Sequence, residues 1–218
     1  TGRRVDVVSG EREARLTLRG VRHGLGALAG PMLTFDIGGG STEYVLSEGE
    51  AVRSTVSLRL GVVPLAERFP FPGVVEPARY RELYDEVRRR LGGELPETIR
   101  TAPVAHLVGT AGTVTALAAL DLGLVHYDPD RVQGHVLSRA TVERLLRRLC
   151  GLTVGERARL PCLEPGRADL IVPGTAIVMA TLDQIGIDQL RVSDYGLREG
   201  VLVDAIEGHD GSRPGAAP

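Results

Sequence analysis

The stretch that most constrains this fold runs from Met32 to Leu46 and joins two apolar runs through a triplet of glycines. The first run leads into Asp36, and Glu43 opens the second run. Short β-prone runs on either side of a glycine cluster predict a strand, a tight turn and a returning strand. A hairpin of this kind brings Asp36 and Glu43 to the same mouth.

The turn of this hairpin has the composition of an anion-binding loop. Its candidate phosphate-binding residues are Gly38, Gly39, Gly40, Ser41 and Thr42. Glycines let backbone N–H groups approach a phosphate closely, and the two hydroxyls add donors. The carboxylates of Asp36 and Glu43 would repel phosphate unless a hard cation lay between them, so we expect this pair to hold Mg²⁺ or Mn²⁺. A flexible hairpin without any ligand is the alternative that these residues leave open.

A second glycine-containing turn follows an apolar run at 104–108 and precedes a helical stretch at 114–120. A strand, a Gly/Thr turn and a helix form an anion site, because free N–H groups and the positive end of the helix dipole point at the turn. Many such turns carry Gly and Thr for helix capping only. The candidate phosphate-binding residues here are Gly109, Thr110, Gly112 and Thr113.

The string at 36–43, Asp-Ile-Gly-Gly-Gly-Ser-Thr-Glu, resembles the exopolyphosphatase/guanosine-pentaphosphate phosphatase family. Strings at 9–15, 109–115 and 193–200 also resemble that family, in the expected order. The resemblance implies an α/β fold, a ribonuclease-H-like (actin/Hsp70/sugar-kinase ATPase) domain with a mixed sheet and helices on both faces. It also implies that Glu13, in Ser-Gly-x-x-Glu-Ala-Arg, is the catalytic base that activates water.

The activity implied by this resemblance is hydrolysis of a terminal phosphoanhydride, either in inorganic polyphosphate or at the 5′ end of guanosine pentaphosphate. The sequence does not choose between these substrates, although the lack of an evident aromatic platform for a base leans towards polyphosphate. A polyphosphate-binding module without turnover is a second hypothesis. A third is an ATPase or sugar-kinase half, and the Glu-Ala-Arg string at 13–15 argues against it.

We expect three regions along the chain. Residues 1–30 form a lead-in with a strand at 5–8, a helix whose N-cap is Ser9 and a linker at 23–30. Residues 31–208 form the actin-like domain, which begins with a meander of three strands and includes a buried helix that starts at Thr175, after Pro173. Residues 209–218 form a disordered polar tail. Members of the resembled family begin with another actin-like domain that carries its own phosphate loop. No such string precedes Val5, so we expect half of the phosphate cradle to be missing from this chain.

The composition excludes several classes of protein. A net charge of −2 over 218 residues offers no basic field for nucleic acid. The sequence has no run of about 18 apolar residues, so we expect no membrane span. The two cysteines lack a C-x-x-C spacing, which indicates a reducing compartment, the cytoplasm. A homodimer is left open. The arginines of the amphipathic stretch at 77–91 could form a basic patch that binds a polyanion, or they could form a face exposed to solvent. We favour the solvent-exposed face.

Overall fold

The computed structural model describes residues 9–210, apart from a few side chains near its ends and in one turn. The elements in chain order are α1 (Gly10–Leu25), β1 (Pro31–Ile37), β2 (Thr42–Glu48), β3 (Ala51–Leu58), α2 (Val62–Arg68), α3 (Pro77–Glu94), α4 (Glu97–Arg100), β4 (His106–Thr110), α5 (Ala111–Asp121), α6 (Pro129–Val132), β5 (Val136–Ser138), α7 (Arg139–Cys150), α8 (Val154–Arg157), α9 (Ile171–Ile185), β6 (Gln189–Val192) and α10 (Leu197–Asp210). A 3₁₀ turn at Pro165–Arg167 precedes α9.

The six strands form one mixed sheet in the order β3-β2-β1-β4-β6-β5. The strands β1, β2 and β3 form an antiparallel meander, as predicted. The strands β4 and β6 extend the sheet in parallel with β1, and β5 closes the far edge antiparallel to β6. The sequence pattern did not predict β5, because three residues are too few to show a period of two.

Helices cover both faces of the sheet, as expected. Alternate residues of β1 point to opposite faces. Leu33 and Phe35 belong to the main core, which also holds the buried residues of α3, α5, α7 and α9. On the other face Met32 contacts a small apolar cluster that includes Leu18 and Val21 of α1, and α10 packs against α1.

Several element boundaries differ from the prediction. The Ser9 side chain accepts a hydrogen bond from the Arg12 N–H at 3.3 Å, so the predicted N-cap of α1 is confirmed. The helix α1 continues to Leu25, into the region predicted as a linker. Pro173 lies in the first turn of α9 instead of preceding it, because a helix tolerates proline where its N–H needs no partner.

The two ends of the predicted organisation fall partly outside the described residues. The strand predicted at 5–8 and residues 211–218 of the predicted tail lie beyond them. The helix α10 continues to Asp210, so the first two residues of that tail are helical. Within residues 9–210, no helix is both long and apolar enough to cross a membrane.

Candidate functional site

The two acids of the glycine hairpin lie side by side on the sheet. Asp36 of β1 is the cross-strand partner of Glu43 in β2, and Glu43 is in turn the partner of Ser57 in β3. Directly opposed residues of neighbouring strands project to the same face, which here is the face covered by α1. The Ser57 hydroxyl donates a hydrogen bond to Glu43 Oε1 at 2.6 Å. The predicted meeting of Asp36 and Glu43 is therefore confirmed.

The helix α1 brings Glu13 to the same place. A cavity of about 210 Å³ between α1 and the sheet is lined by Glu13 together with Asp36 and Glu43. Thr17 and Thr34 also line this cavity, and Thr34 Oγ1 is buried without a hydrogen-bond partner among the described residues. Three carboxylates thus face one small cavity, although Glu13 lies 23 positions before Asp36 in the chain.

The crowding of these carboxylates changes the chemistry of Asp36. Burial, followed by the negative charges of Glu43 and Glu13, raises the pKa of Asp36 from 3.8 to about 6. Each of these causes penalises the ionised form of Asp36. A divalent cation in the cavity would relieve all of them at once, because it replaces lost hydration and neutralises the neighbouring charges.

The protein oxygens present suit a Mg²⁺ ion that is bound partly by the protein and partly by water and substrate. Among the described residues no group of three or more His, Cys, Asp and Glu side chains is placed to hold a metal ion. Mg²⁺ is usually bound by one or two carboxylates plus water and substrate phosphate oxygens. The oxygens of Asp36 and Glu43, beside a phosphate-binding loop, match that requirement.

The glycine loop is oriented by the start of α2. The N–H of Val62 donates to Gly38 O at 3.2 Å, and the N–H of Val63 donates to Gly39 O at 2.9 Å. In a trans peptide the carbonyl and the following N–H point in opposite directions. Holding these two carbonyls against α2 therefore turns the N–H groups of Gly39 and Gly40 away from it, as a phosphate cradle requires.

Gly61 supports this loop and was missed in the sequence analysis. A Cβ on Gly61 would lie 2.5 Å from the carbonyl carbon of Gly39 and would overlap the backbone of Gly40. The contact is between backbone atoms, so no side-chain movement relieves it. The only signal in the sequence is a glycine directly before a short helix, which is also common without such a contact.

The second glycine turn lies beside the first. Parallel pairing sets Asp36 opposite Thr110, so the C-terminal ends of β1 and β4 lie next to each other. Gly38 and Gly39 line a cleft of about 390 Å³ together with Gly112 and Thr113 from the first turn of α5. Backbone N–H groups in a first helical turn lack partners within the helix, which suits an anion.

The residues predicted to form a loop at 109–113 belong instead to the end of a strand and the start of a helix. The strand β4 ends at Thr110 and α5 begins at Ala111, whose φ of 67° is in the left-handed region. Strained residues of this kind persist where the surrounding structure imposes them, often at functional sites. The reversal from strand to helix at Ala111 points the start of α5 at the cleft.

Two predicted phosphate contacts, those of the Thr42 and Thr110 hydroxyls, need correction, and the predicted contact of Gly109 stays a prediction. The Thr42 hydroxyl is buried and donates to Leu60 O at 2.6 Å, so it is not available to a ligand. The Thr110 hydroxyl donates to Tyr195 O at 3.3 Å. Gly109 is a packing glycine, because a Cβ there would lie 2.8 Å from the ring of Phe35. Gly38, Gly39, Gly112 and Thr113 line the cleft as described above, and Gly40 and Ser41 complete the same loop.

Arg167 is a further candidate that the sequence analysis did not assign to the site. Its guanidinium covers Gly112 so closely that a Cβ on Gly112 would lie 2.8 Å from Arg167 Nη2 and would overlap Nη1. Arg167 also lines the glycine cleft, and its Nε donates to Glu164 at 2.7 Å. A guanidinium over the start of α5 adds positive charge where a phosphate would bind.

An aromatic side chain lies near the cleft as well. A neighbouring cavity of about 440 Å³ shares Gly112 and Arg167 with the cleft and is also lined by Tyr127 and Asp194. The Tyr127 side chain is exposed, and its hydroxyl donates to Asp194 Oδ1. Tyr127 is therefore an aromatic side chain near the cleft that the sequence analysis did not assign to the site, since the loop that carries it reaches the cleft only in the folded chain.

Comparisons of the sequence with known proteins point to one family. A sequence model of the Ppx/GppA phosphatase family matches residues 1–209. A protein named exopolyphosphatase 2 from Mycobacterium tuberculosis is 36% identical over 210 residues, which are 93% of this chain and 64% of that protein. A protein named guanosine-5′-triphosphate,3′-diphosphate pyrophosphatase from Vibrio vulnificus is 30% identical over 94% of this chain and 39% of its own length. The chain thus spans less than two thirds of these relatives.

Solved structures agree with the sequence comparisons. A crystal structure of the Aquifex aeolicus member of the Ppx/GppA family superposes with a TM-score of 0.87 at 34% identity, over 97% of this chain and 67% of that one. An exopolyphosphatase from Cytophaga hutchinsonii gives a TM-score of 0.83 at 27% identity, over 94% of this chain and 66% of that one. These matches, with the strand order described above, confirm the predicted ribonuclease-H-like fold class.

Proposed function

Because this chain belongs to the Ppx/GppA phosphatase family, we propose that it takes part in hydrolysing a terminal phosphoanhydride and releases orthophosphate from inorganic polyphosphate. The observation that carries the proposal is the juxtaposition of Glu13, Asp36 and Glu43 around one cavity, directly beside the glycine loop. A relative named as an exopolyphosphatase, 36% identical to this chain, supports the same substrate.

In the proposed reaction Glu13 is the general base. Its carboxylate would hold a water molecule and accept a proton as the water oxygen attacks the terminal phosphorus. Phosphate oxygens would be bound by the N–H groups of Gly39 and Gly40, by the start of α5 and by the guanidinium of Arg167. These fixed donors neutralise negative charge as it shifts to the leaving phosphate oxygen, which lowers the barrier without rearrangement of the protein.

A Mg²⁺ ion would be held by Asp36 and Glu43. When bound it supplies positive charge that polarises the phosphoryl group and screens substrate phosphate from the acids. The hydrogen bond from Ser57 fixes the orientation of the Glu43 carboxylate. This role of Ser57 matches the outer-shell partners that orient metal-binding carboxylates.

The test is phosphate release from polyphosphate by the full-length protein, with and without Mg²⁺, in the wild type and in Glu13→Gln. Glutamine keeps the shape of the side chain but cannot accept the proton, so we expect release to fall by roughly 10²- to 10⁴-fold. The matched control is Glu82→Gln, an exposed residue of α3, which should keep the wild-type rate.

Three outcomes would contradict parts of the proposal. A Glu13→Gln protein that releases phosphate within a few-fold of the wild type would remove Glu13 as the base. Saturable binding of polyphosphate without any release by the full-length protein would favour a binding module. Alanine variants of Asp36 and Glu43 that keep the wild-type Mg²⁺ dependence would remove the metal role from this pair.

Guanosine pentaphosphate is the second candidate substrate, and Tyr127 is the observation that favours it. The exposed ring lines the cavity adjoining the phosphate cleft, and Asp194 beside it could accept hydrogen bonds from a purine. The relative from Vibrio vulnificus named above also supports it. Phosphate release measured from both substrates under the same conditions separates them, and a higher kcat/KM for the nucleotide would make it the preferred substrate.

A further inference from the structure

The helices α1 and α10 meet backbone to backbone at two glycines. A Cβ on Gly20 of α1 would lie 2.8 Å from Gly200 N and would overlap Gly196 O. A Cβ on Gly200 of α10 would lie 2.6 Å from the carbonyl carbon of Leu16 and would overlap its oxygen. Because the opposing atoms belong to backbone, no rotamer change makes room for a methyl group at either position.

Side chains reinforce this contact on both sides of the crossing. Arg19 of α1 forms ion pairs with Asp204 and Glu207 of α10. The ring of His23 stacks on the ring of Tyr195 with centroids 6.1 Å apart. The pairing of α1 with α10 is thus closely fitted and is held at several points along both helices.

The start of α10 is itself fixed to the sheet. The N–H of Ser193 donates to Gly109 O at 2.9 Å, immediately beyond β6. The hydroxyls of Ser193 and Thr110 both donate to Tyr195 O, at 2.7 and 3.3 Å. The N–H of Gly196 donates to Glu199 Oε2 at 2.8 Å, which caps the helix. The segment 193–200 therefore connects the end of β4 rigidly to α10.

The helix α1 is joined to the sheet by a small apolar cluster in its C-terminal half. Its apolar contact with the sheet is a small cluster in which Leu18 and Val21 meet Met32 and Val108. Towards its N-terminus the same helix faces the cavity that Glu13 lines. Glu13 is seven residues from Gly20, or about 10 Å along the helix axis. The distance of Glu13 from the sheet therefore depends on how closely α1 packs against α10.

We propose that Gly20 and Gly200 are positioning residues, whose contact sets the distance of α1 from the sheet and so holds Glu13 at Asp36 and Glu43. This inference rests on the proposed function, since it concerns Glu13 as the base. In this proposal the Gly-Leu-Arg-Glu-Gly segment at 196–200 positions α1 and does not contact phosphate directly. A methyl group at either glycine would displace α1, and a misplacement of about 1 Å at a reacting group can cost about 10²-fold in rate.

The first experiment compares Gly200→Ala with Gly93→Ala in the full-length protein. Gly93 lies in α3 with no heavy atom within 4 Å of an added Cβ, so it is a matched control. We expect Gly200→Ala to lower kcat at least 10-fold with KM changed by less than about threefold, and Gly93→Ala to keep both. If Gly200→Ala does not fold, Gly24→Ala is the milder variant, because its Cβ would meet only side-chain atoms of Gln133 and Tyr195.

A double-mutant cycle separates positioning from a general loss of stability. If Gly200 acts through Glu13, then Gly200→Ala should lower kcat in the wild type but cause no further loss in a Glu13→Gln protein. An equal loss in both backgrounds, or an unchanged kcat in a folded Gly200→Ala protein, would overturn the inference.

Amide hydrogen exchange tests the seating of α1 without any turnover. We expect Gly200→Ala to accelerate exchange in residues 10–25 and to leave β1–β3 unchanged, whereas equal protection of α1 in both proteins would overturn the inference. A wild-type rate in Glu13→Gln would instead refute the proposed base, and the exchange result would still decide whether these glycines seat the helix.

Discussion

The pKa of Asp36 reflects how closely the carboxylates of the site lie together. Its pKa is raised to about 6 in the folded protein, against 3.8 for the ordinary side chain. The folded state therefore binds more protons than the unfolded state between pH 4 and 6, and the free energy of unfolding falls as pH rises through that range. We expect Asp36→Asn to stabilise the metal-free protein at pH 7.5 by about 1–3 kcal/mol, with the gain vanishing near pH 4.

Urea unfolding at pH 7.5 and pH 4.0, with a chelator present, measures this effect. The control is Asp85→Asn, an exposed residue of α3, which should change the free energy of unfolding by less than about 0.5 kcal/mol at both pH values. An Asp36→Asn protein that is less stable than the wild type at pH 7.5 would show that the ionised carboxylate is favourably held, and that the cavity is not crowded with negative charge.

At the scale of elements, the glycine loop depends on its contact with α2. We expect Gly61→Ala to force apart the loop and the helix, because the new Cβ would lie 2.5 Å from the carbonyl carbon of Gly39. The cost in stability should be about 1–3 kcal/mol, the usual range for overpacking. Affinity for tripolyphosphate should also fall at least 10-fold, since the loop N–H groups lose their orientation. Calorimetric titration measures that affinity.

Gly73→Ala is the matched control for this change, because a Cβ on Gly73 meets no heavy atom within 4 Å. It should keep the affinity and change the stability by less than about 0.5 kcal/mol. Wild-type affinity for tripolyphosphate in a Gly61→Ala protein would mean that the loop binds no phosphate or does not need α2 to do so.

For the molecule as a whole, ligand binding should appear as thermal stability. A ligand that binds only the folded state at 100 times its Kd stabilises it by about 2.7 kcal/mol, which corresponds to several degrees in Tm for a chain of this size. We expect Mg²⁺ with tripolyphosphate to raise the Tm at pH 8. The rise should be smaller at pH 5, because protons compete with Mg²⁺ for Asp36, whose pKa is about 6.

The control for this experiment is NaCl at matched ionic strength with tripolyphosphate but without Mg²⁺. Melting followed by circular dichroism at both pH values gives the comparison. An equal rise in Tm with and without Mg²⁺ would show that the anion binds through the loop N–H groups and Arg167 alone, and would contradict metal binding by Asp36 and Glu43.

Buried polar groups mark the limit of what the sequence could predict. The sequence by itself does not decide whether Arg157 is solvated or faces an anion. In the fold Arg157 is fully buried, and its guanidinium donates to Leu149 O at 2.9 Å, Phe71 O at 3.0 Å and Gly73 O at 3.3 Å. Arg157 is thus a structural crosslink. No local pattern reveals this, because two of the three carbonyl groups, those of Phe71 and Gly73, come from a distant part of the chain.

The sequence alone determined the elements whose signals are local. The hairpin with its two acids, the meander, the Ser9 cap and the meeting of Asp36 with Glu43 follow from periodicity, glycine placement and cross-strand register. Only the tertiary structure decided what fills the rest of the site: Glu13 at the same cavity, Gly61 behind the loop, Arg167 over α5, and the loss of Thr42 and Thr110 to internal hydrogen bonds. The reason is physical, since a residue's type and spacing fix its local conformation, whereas its partners depend on how separate elements pack.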